Sequence, residues 1–202
     1  MEREHLAWHA AGHAFAAIIW EFQVQKLSLD GFSGSDLADS EGAQRLDQYT
    51  MIRFPDSSVP AGWFRHTIME RLMYIAIAGP VAELRHRDRP CVLENVIDFT
   101  DDWKQAWHAS GFLRSDETQR MELLARNVQS SYAVVLYDRW EFYSRVVAHL
   151  MEQGSMSGEE VHAAFAHMKT TDEARENRIE RPRRPFRYPD KAEVYDGPPF
   201  AP

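Results

Sequence analysis

The spacing of apolar residues along the chain predicts a mainly helical protein. Apolar side chains recur every three or four positions, as they do on one face of an α-helix, in three stretches: residues 4–22, 63–87 and 116–153. Two shorter helices are also predicted. One follows Thr100, which is a candidate N-cap, and the other begins at Ser157, which forms a capping box with Glu160, and ends near Lys169. Two stretches are strand candidates: residues 24–30 and 48–54. We therefore expect a mainly α fold of the α+β class, with a small sheet of two or three strands.

Glycine and proline modify the helical pattern at two places. Gly12 lies inside the first helix, where it costs about 1 kcal/mol relative to alanine, so we expect another backbone or group to pack closely there. Gly79 and Pro80 interrupt the second apolar stripe, which predicts a kink or the start of a new helix. The stretch 116–153 is long enough to form either one bent helix or two helices.

The composition changes after residue 169. The segment 170–202 holds six of the ten prolines, seven acidic residues and seven basic residues, with few aliphatic side chains. Such a segment buries too little apolar surface to offset the entropy of ordering it. We therefore expect a folded domain over 1–169 and an extended or disordered tail over 170–202. Four aromatic residues of the tail are candidates for docking on the domain or on a partner: Phe186, Tyr188, Tyr195 and Phe200.

Charge and cysteine content narrow the class of protein. The net charge of −8 argues against nucleic acid or an anionic membrane surface as the main partner. The single cysteine, Cys91, excludes an intramolecular disulfide and cysteine-rich zinc sites. The apolar run at 15–20 is far shorter than the roughly 20 residues that cross a bilayer, so no membrane span is predicted. A charged amino terminus that enters a helix directly argues against a signal peptide, and we expect a cytoplasmic protein.

His9 and His13 are candidate metal ligands. Residues four apart on a helix lie about 40° apart around its axis, so both imidazoles can reach one ion. His5, one turn before His9, widens the choice of pair. In the zinc peptidase helix H-E-x-x-H this spacing is combined with a glutamate general base at the second position, which is Ala10 in this chain.

Three segments resemble the peptidase domain of the FtsH family of AAA+ zinc proteases and its stand-alone relatives. Residues 8–14 (WHAAGHA) resemble the family's H-E-A-G-H-A helix, and residues 78–83 (AGPVAE) resemble its G-G-R-x-A-E segment. Residues 100–106 (TDDWKQA) resemble its S-N-D-x-x-x-A segment, which carries the third zinc ligand. The segments occur in the family's order with similar spacing, and the resemblance covers about residues 5–165.

The resemblance implies a set of site residues. His9 and His13 would be zinc ligands and Asp102 the carboxylate ligand, leaving a fourth position open for water or a substrate carbonyl. Asp101 and Asp98 are alternatives for the third ligand. Without the resemblance, a favourable interaction with the helix dipole is sufficient to account for Asp101 and Asp102 in the first turn of a helix. Glu83 has two interpretations. It either orients a ligand histidine or is an exposed carboxylate on a charged helix end.

The chain departs from the family at Ala10. The family's glutamate takes a proton from the attacking water and delivers it to the leaving amine, a contribution of about 10²–10⁴-fold in rate. Alanine can do neither, so the resemblance predicts a zinc metallopeptidase-type protein that is inactive or nearly so as written. Ala10 fits a natural pseudo-peptidase and an inactivated variant of an active enzyme equally well.

The FtsH-type ATPase is absent from this chain, because no G-x-x-x-x-G-K-[ST] phosphate loop occurs in it. An active form would act on flexible protein or peptide substrates, or would need a separate partner that presents them. The alternative function is a non-catalytic protein-binding module that reuses the peptidase fold. A third, weaker hypothesis is a helical scaffold without metal.

Overall fold

The fold is taken from a computed structural model, which describes residues 2–31, 43–46, 50–53, 61–136 and 140–176. The helices of these residues are α1 (Glu2–Ile19), α2 (Ala61–His86), α3 (Leu93–Val96), α4 (Thr100–Leu113), α5 (Glu117–Leu136), α6 (Trp140–Gln153) and α7 (Gly158–Glu176). The strands are β1 (Gln23–Ser28), β2 (Ala43–Arg45), β3 (Thr50–Arg53) and β4 (Ser155–Ser157). The predicted mainly α (α+β) class is confirmed.

The strands form one antiparallel sheet in the order β2-β3-β1-β4. β1 pairs with β3 on one side, with a bulge between Val24 and Lys26, and with β4 on the other. The strands predicted at residues 24–30 and 48–54 correspond to β1 and β3, whereas β2 and β4, each three residues long, were not predicted. Sheet formation therefore joins the first part of the chain to the start of α7.

α1 and α2 cross closely in the core. The middle of α1, from Ala7 to Ala17, is buried throughout. A Cβ built on Gly12 would lie 2.5 Å from the carbonyl oxygen of Ala78 and 2.7 Å from the Cβ of Ala82. The close approach predicted from Gly12 is therefore confirmed, and the backbone that packs there is that of α2.

Two helical predictions are refined by the structure. α2 is a single helix from Ala61 to His86 with Pro80 inside it, so no second helix starts at Gly79-Pro80. The stretch 116–153 contains two helices, α5 and α6, rather than one. The N-cap of α4 is Phe99, one residue before the predicted Thr100, and it makes no side-chain cap bond.

The capping box at the start of α7 is confirmed. The Ser157 hydroxyl accepts the Glu160 backbone N–H at 3.3 Å, and the Glu160 carboxylate accepts the Ser157 backbone N–H at 2.8 Å. Both bonds satisfy donors that a helix terminus leaves without intrahelical partners.

The chain divides into two units, residues 1–169 and 170–202. α7 continues to Glu176, so the first residues of the predicted tail are helical rather than extended. The rest of the tail, with its four aromatic residues, lies outside the described residues. Among the described helices, none combines the length and the apolar character needed to cross a bilayer.

Candidate metal centre

His9, His13 and Asp102 come together in the interior. The Nε2 atoms of the two histidines are 2.9 Å apart, and the Asp102 carboxylate lies 3.1 Å from each of them, Oδ2 facing His9 and Oδ1 facing His13. The three residues are 4%, 0% and 5% exposed, in that order. These are the three residues that the sequence resemblance implies as ligands, and together they form a group able to hold a metal ion.

Local packing on two helices directs these side chains inward. Asp102 lies in the first turn of α4, on the same buried side of that helix as Ala106 and Ala109. The His13 ring lies directly over Gly79 of α2, where a Cβ would come within 2.6 Å of the ring carbons. Gly79 therefore supplies the space that the ring occupies, as Gly12 does for the helix crossing.

The outer nitrogen of each histidine contacts an acceptor. His9 Nδ1 donates to Glu83 Oε2 at 2.9 Å, and His13 Nδ1 donates to the backbone oxygen of Ile75 at 2.7 Å. We assign the ring hydrogens to Nδ1 because a carboxylate and a carbonyl can only accept. Neutral rings in this tautomer present lone pairs at Nε2, which is the form in which imidazole binds a metal.

The centre therefore brings acceptor atoms into mutual contact. Two Nε2 lone pairs and two carboxylate oxygens meet at about 3 Å, an arrangement that a bound cation stabilises. Among the described residues, Oδ1 of Asp102 accepts no well-aligned hydrogen bond although it is buried. Two imidazoles and one carboxylate suit a divalent transition metal, so the residues fit such an ion.

Electrostatics keep the carboxylate ionised. Burial by itself raises the pKa of Asp102. In the metal-free centre, protonated His9 and His13 rings, which face the carboxylate and then donate from Nε2, outweigh burial and hold that pKa well below its ordinary value. The alternatives, Asp101 and Asp98, have side chains that are 75% and 68% exposed and that face Lys104 and Arg89 instead. Asp102 is thus the carboxylate that meets the histidines.

Glu83 is buried rather than on an exposed helix end. It is 4% exposed, and it bridges His9 Nδ1 and the guanidinium of Arg87 one turn later on the chain. Of the two interpretations of Glu83, the one in which it orients a ligand histidine agrees with this position. Glutamate and arginine four residues apart on a helix often form an ion pair, and this spacing could have identified Arg87 as the partner of Glu83.

Two further residues complete the surroundings. Ala10 is fully buried on α1 beside His9, and its methyl group offers no acceptor. The Phe99 ring stacks on the His9 ring, with centroids 5.5 Å apart and planes 28° apart. Phe99 was not predicted, because no local pattern links an aromatic residue before α4 to a histidine on α1.

Comparison with known proteins finds no matching family model and no matching curated protein.

Proposed function

We propose that this chain is a zinc-binding protein of the metallopeptidase type in which hydrolysis is disabled at Ala10. The observation that supports this most directly is the orientation of His9 and His13. Both rings direct Nε2 toward the Asp102 carboxylate while Nδ1 is used elsewhere. Second contacts of this kind fix the tautomer and orientation of metal-binding histidines. The order of the three sequence segments that resemble FtsH-type peptidases agrees with this proposal.

The ligand set favours a catalytic type of site over a structural one. Structural zinc sites normally use four protein ligands, whereas catalytic sites use three and keep one position for water or substrate. A zinc ion bound there would polarise a substrate carbonyl and lower the pKa of water. The chain itself supplies orientation: Glu83 holds the His9 ring and the Ile75 carbonyl holds the His13 ring.

Ala10 removes proton transfer from this arrangement. A general base must have an acceptor atom within hydrogen-bond reach of the proton it takes, and an alanine methyl has none. Metal binding does not require that group, because the three ligand atoms belong to other residues. The proposal is therefore a protein that binds zinc and has little or no peptidase activity.

Metal analysis tests the first half of the proposal. We expect one zinc per chain in the purified protein, and loss of that zinc in His9→Ala, His13→Ala and Asp102→Asn variants. His108→Ala is the matched control, because His108 is an exposed histidine on α4 outside the group. A wild-type chain without zinc after incubation with the metal, or zinc retained by the three variants, would refute the assignment.

Restoring the base tests the second half. The Ala10→Glu protein, loaded with zinc, should cleave an unfolded protein substrate such as casein at least about 10²-fold faster than the unaltered chain. Ala10→Gln serves as the control, because it has nearly the same size and no basic carboxylate. An Ala10→Glu protein that binds one zinc and stays inactive on casein and on peptide libraries would count against a peptidase origin.

A non-catalytic protein-binding module is the second candidate function. It is favoured by Ala10 and by a surface cavity of about 560 Å³ between α4 and α5, which is lined by Lys104, Trp107, His108, Gly111, Phe112 and Arg120. Tryptophan, phenylalanine and arginine are enriched in protein interfaces. Zinc binding without activity in the Ala10→Glu protein is the result that would favour this function.

A further inference from the structure

Arg87 occupies an unexpected place for a cation, next to the proposed metal centre. Its guanidinium contacts Glu83 Oε1, while the other oxygen of the same carboxylate accepts the N–H of His9. The Arg87 side chain is 34% exposed and that of Glu83 is 5% exposed, so the arginine approaches the carboxylate from the solvent side. A chain of contacts thus runs from the surface through Glu83 to a metal ligand.

We infer that Arg87 is a positioning residue for metal binding, acting through Glu83 on the His9 ring. The inference rests on the proposed metal centre and extends it by one residue. A guanidinium in contact with one carboxylate oxygen restricts rotation of the carboxyl group. Because the second oxygen accepts from His9 Nδ1, a fixed carboxyl group also fixes the direction in which His9 Nε2 points.

Coulomb's law alone predicts the opposite effect of Arg87. A positive charge near a divalent cation repels it, so removing the charge should tighten metal binding. Positioning predicts that removal weakens binding, because His9 loses its fixed orientation. The sign of the change in affinity therefore separates the two roles.

The decisive variant is Arg87→Gln, compared with Arg89→Gln. Arg89 carries the same charge two residues later, but it contacts Asn95 and Asp98 instead of Glu83. Loss of a residue that directly contacts a ligand histidine costs about 10- to 100-fold in metal affinity, and Arg87 acts one contact further out. We expect zinc affinity, measured by chelator competition, to fall about 3- to 10-fold in Arg87→Gln and to stay within twofold in Arg89→Gln.

Further measurements separate positioning from a general structural role. Arg87→Lys keeps the charge and reaches the same carboxylate, so it should recover most of the lost affinity. In a Glu83→Gln background, Arg87→Gln should have no additional effect, because its partner is already changed. The Co²⁺-substituted protein should show altered visible absorption in Arg87→Gln and an unchanged spectrum in Arg89→Gln.

Each outcome has a defined consequence. Equal or tighter zinc binding in Arg87→Gln, or additive losses in the double variant, would overturn the positioning role while leaving the proposed metal centre intact. A wild-type chain that binds no zinc would overturn both. If circular dichroism shows that Arg87→Gln does not fold, Arg87→Lys becomes the test. A zinc affinity and a Co²⁺ spectrum close to those of the unaltered chain would support the inference. A loss of zinc affinity as large as that of Glu83→Gln would contradict it.

Discussion

Gly79→Ala should abolish metal binding while leaving the fold largely intact. A Cβ at this position would lie 2.6 Å from both Cδ2 and Cε1 of His13, and closer still to Nε2. Ordinary van der Waals contact begins at about 3.4 Å, so the ring carbons must move by at least about 0.8 Å and Nε2 by more, or the helices must separate. Metal–ligand distances tolerate only about ±0.2 Å, and a displacement of this size therefore removes His13 from the centre.

The cost to stability should be moderate in comparison. Overpacking a core typically costs about 1–3 kcal/mol, and alanine returns about 1 kcal/mol of helix propensity relative to glycine. We would measure zinc affinity by chelator competition and stability of the metal-free protein by urea unfolding. Gly111→Ala is the matched control, because its Cβ would meet Arg120 Nη2 at an ordinary 3.4 Å and should leave zinc binding unchanged. Wild-type zinc affinity in a folded Gly79→Ala protein would refute this account of the packing.

Three further predictions follow from individual contacts. Gly12→Ala should lower the free energy of unfolding by about 1–3 kcal/mol, measured by urea titration, because its Cβ would meet the backbone of Ala78; unchanged stability would contradict the close crossing. Ser157→Ala should cost about 1 kcal/mol by thermal unfolding through loss of the N-cap, whereas Ser157→Asp, which can also cap, should cost less. In the metal-free protein the pKa of Asp102 is depressed, so its ionised form adds stability above the unfolded value of about 3.9, and that stability is lost as the pH falls toward the folded-state pKa. The difference in urea stability between wild type and Asp102→Asn should therefore shrink steadily with acidification below about pH 4, and a constant difference would contradict the assignment.

Local signals explain which parts of the fold could be predicted. The helices other than the four-residue α3, the strands β1 and β3, and the capping box at Ser157 follow from residue spacing within short windows, and the structure has them at or near the predicted places. β4 could not be predicted, because three residues carry no periodicity and its strand character comes from pairing with β1. Similarly, the continuity of α2 through Pro80 depends on tertiary packing that outweighs a local penalty.

In the candidate metal centre, too, local sequence patterns identify some residues and miss those whose contacts come from distant parts of the chain. The pairing of His9 with His13 follows from helix geometry, but the choice of Asp102 over Asp101 needed a resemblance to fix the register. In the structure that choice is determined by which face of α4 turns toward α2, since Asp102 shares its buried side with Ala106. The contacts of Phe99 and the Ile75 carbonyl link residues more than 60 positions apart, and no single-sequence pattern carries such pairs.

In the proposed function, metal binding and catalysis would depend on different atoms, so one could persist without the other. The proposed ligands come from α1 and α4, and the rings are oriented by Glu83 and Ile75 of α2. None of these contacts involves the side chain of Ala10, so alanine at this position leaves the contacts of the proposed ligands with Glu83 and Ile75 in place. A centre that holds α1, α2 and α4 together would stabilise the fold when the ion is bound, by an amount that grows with free metal concentration.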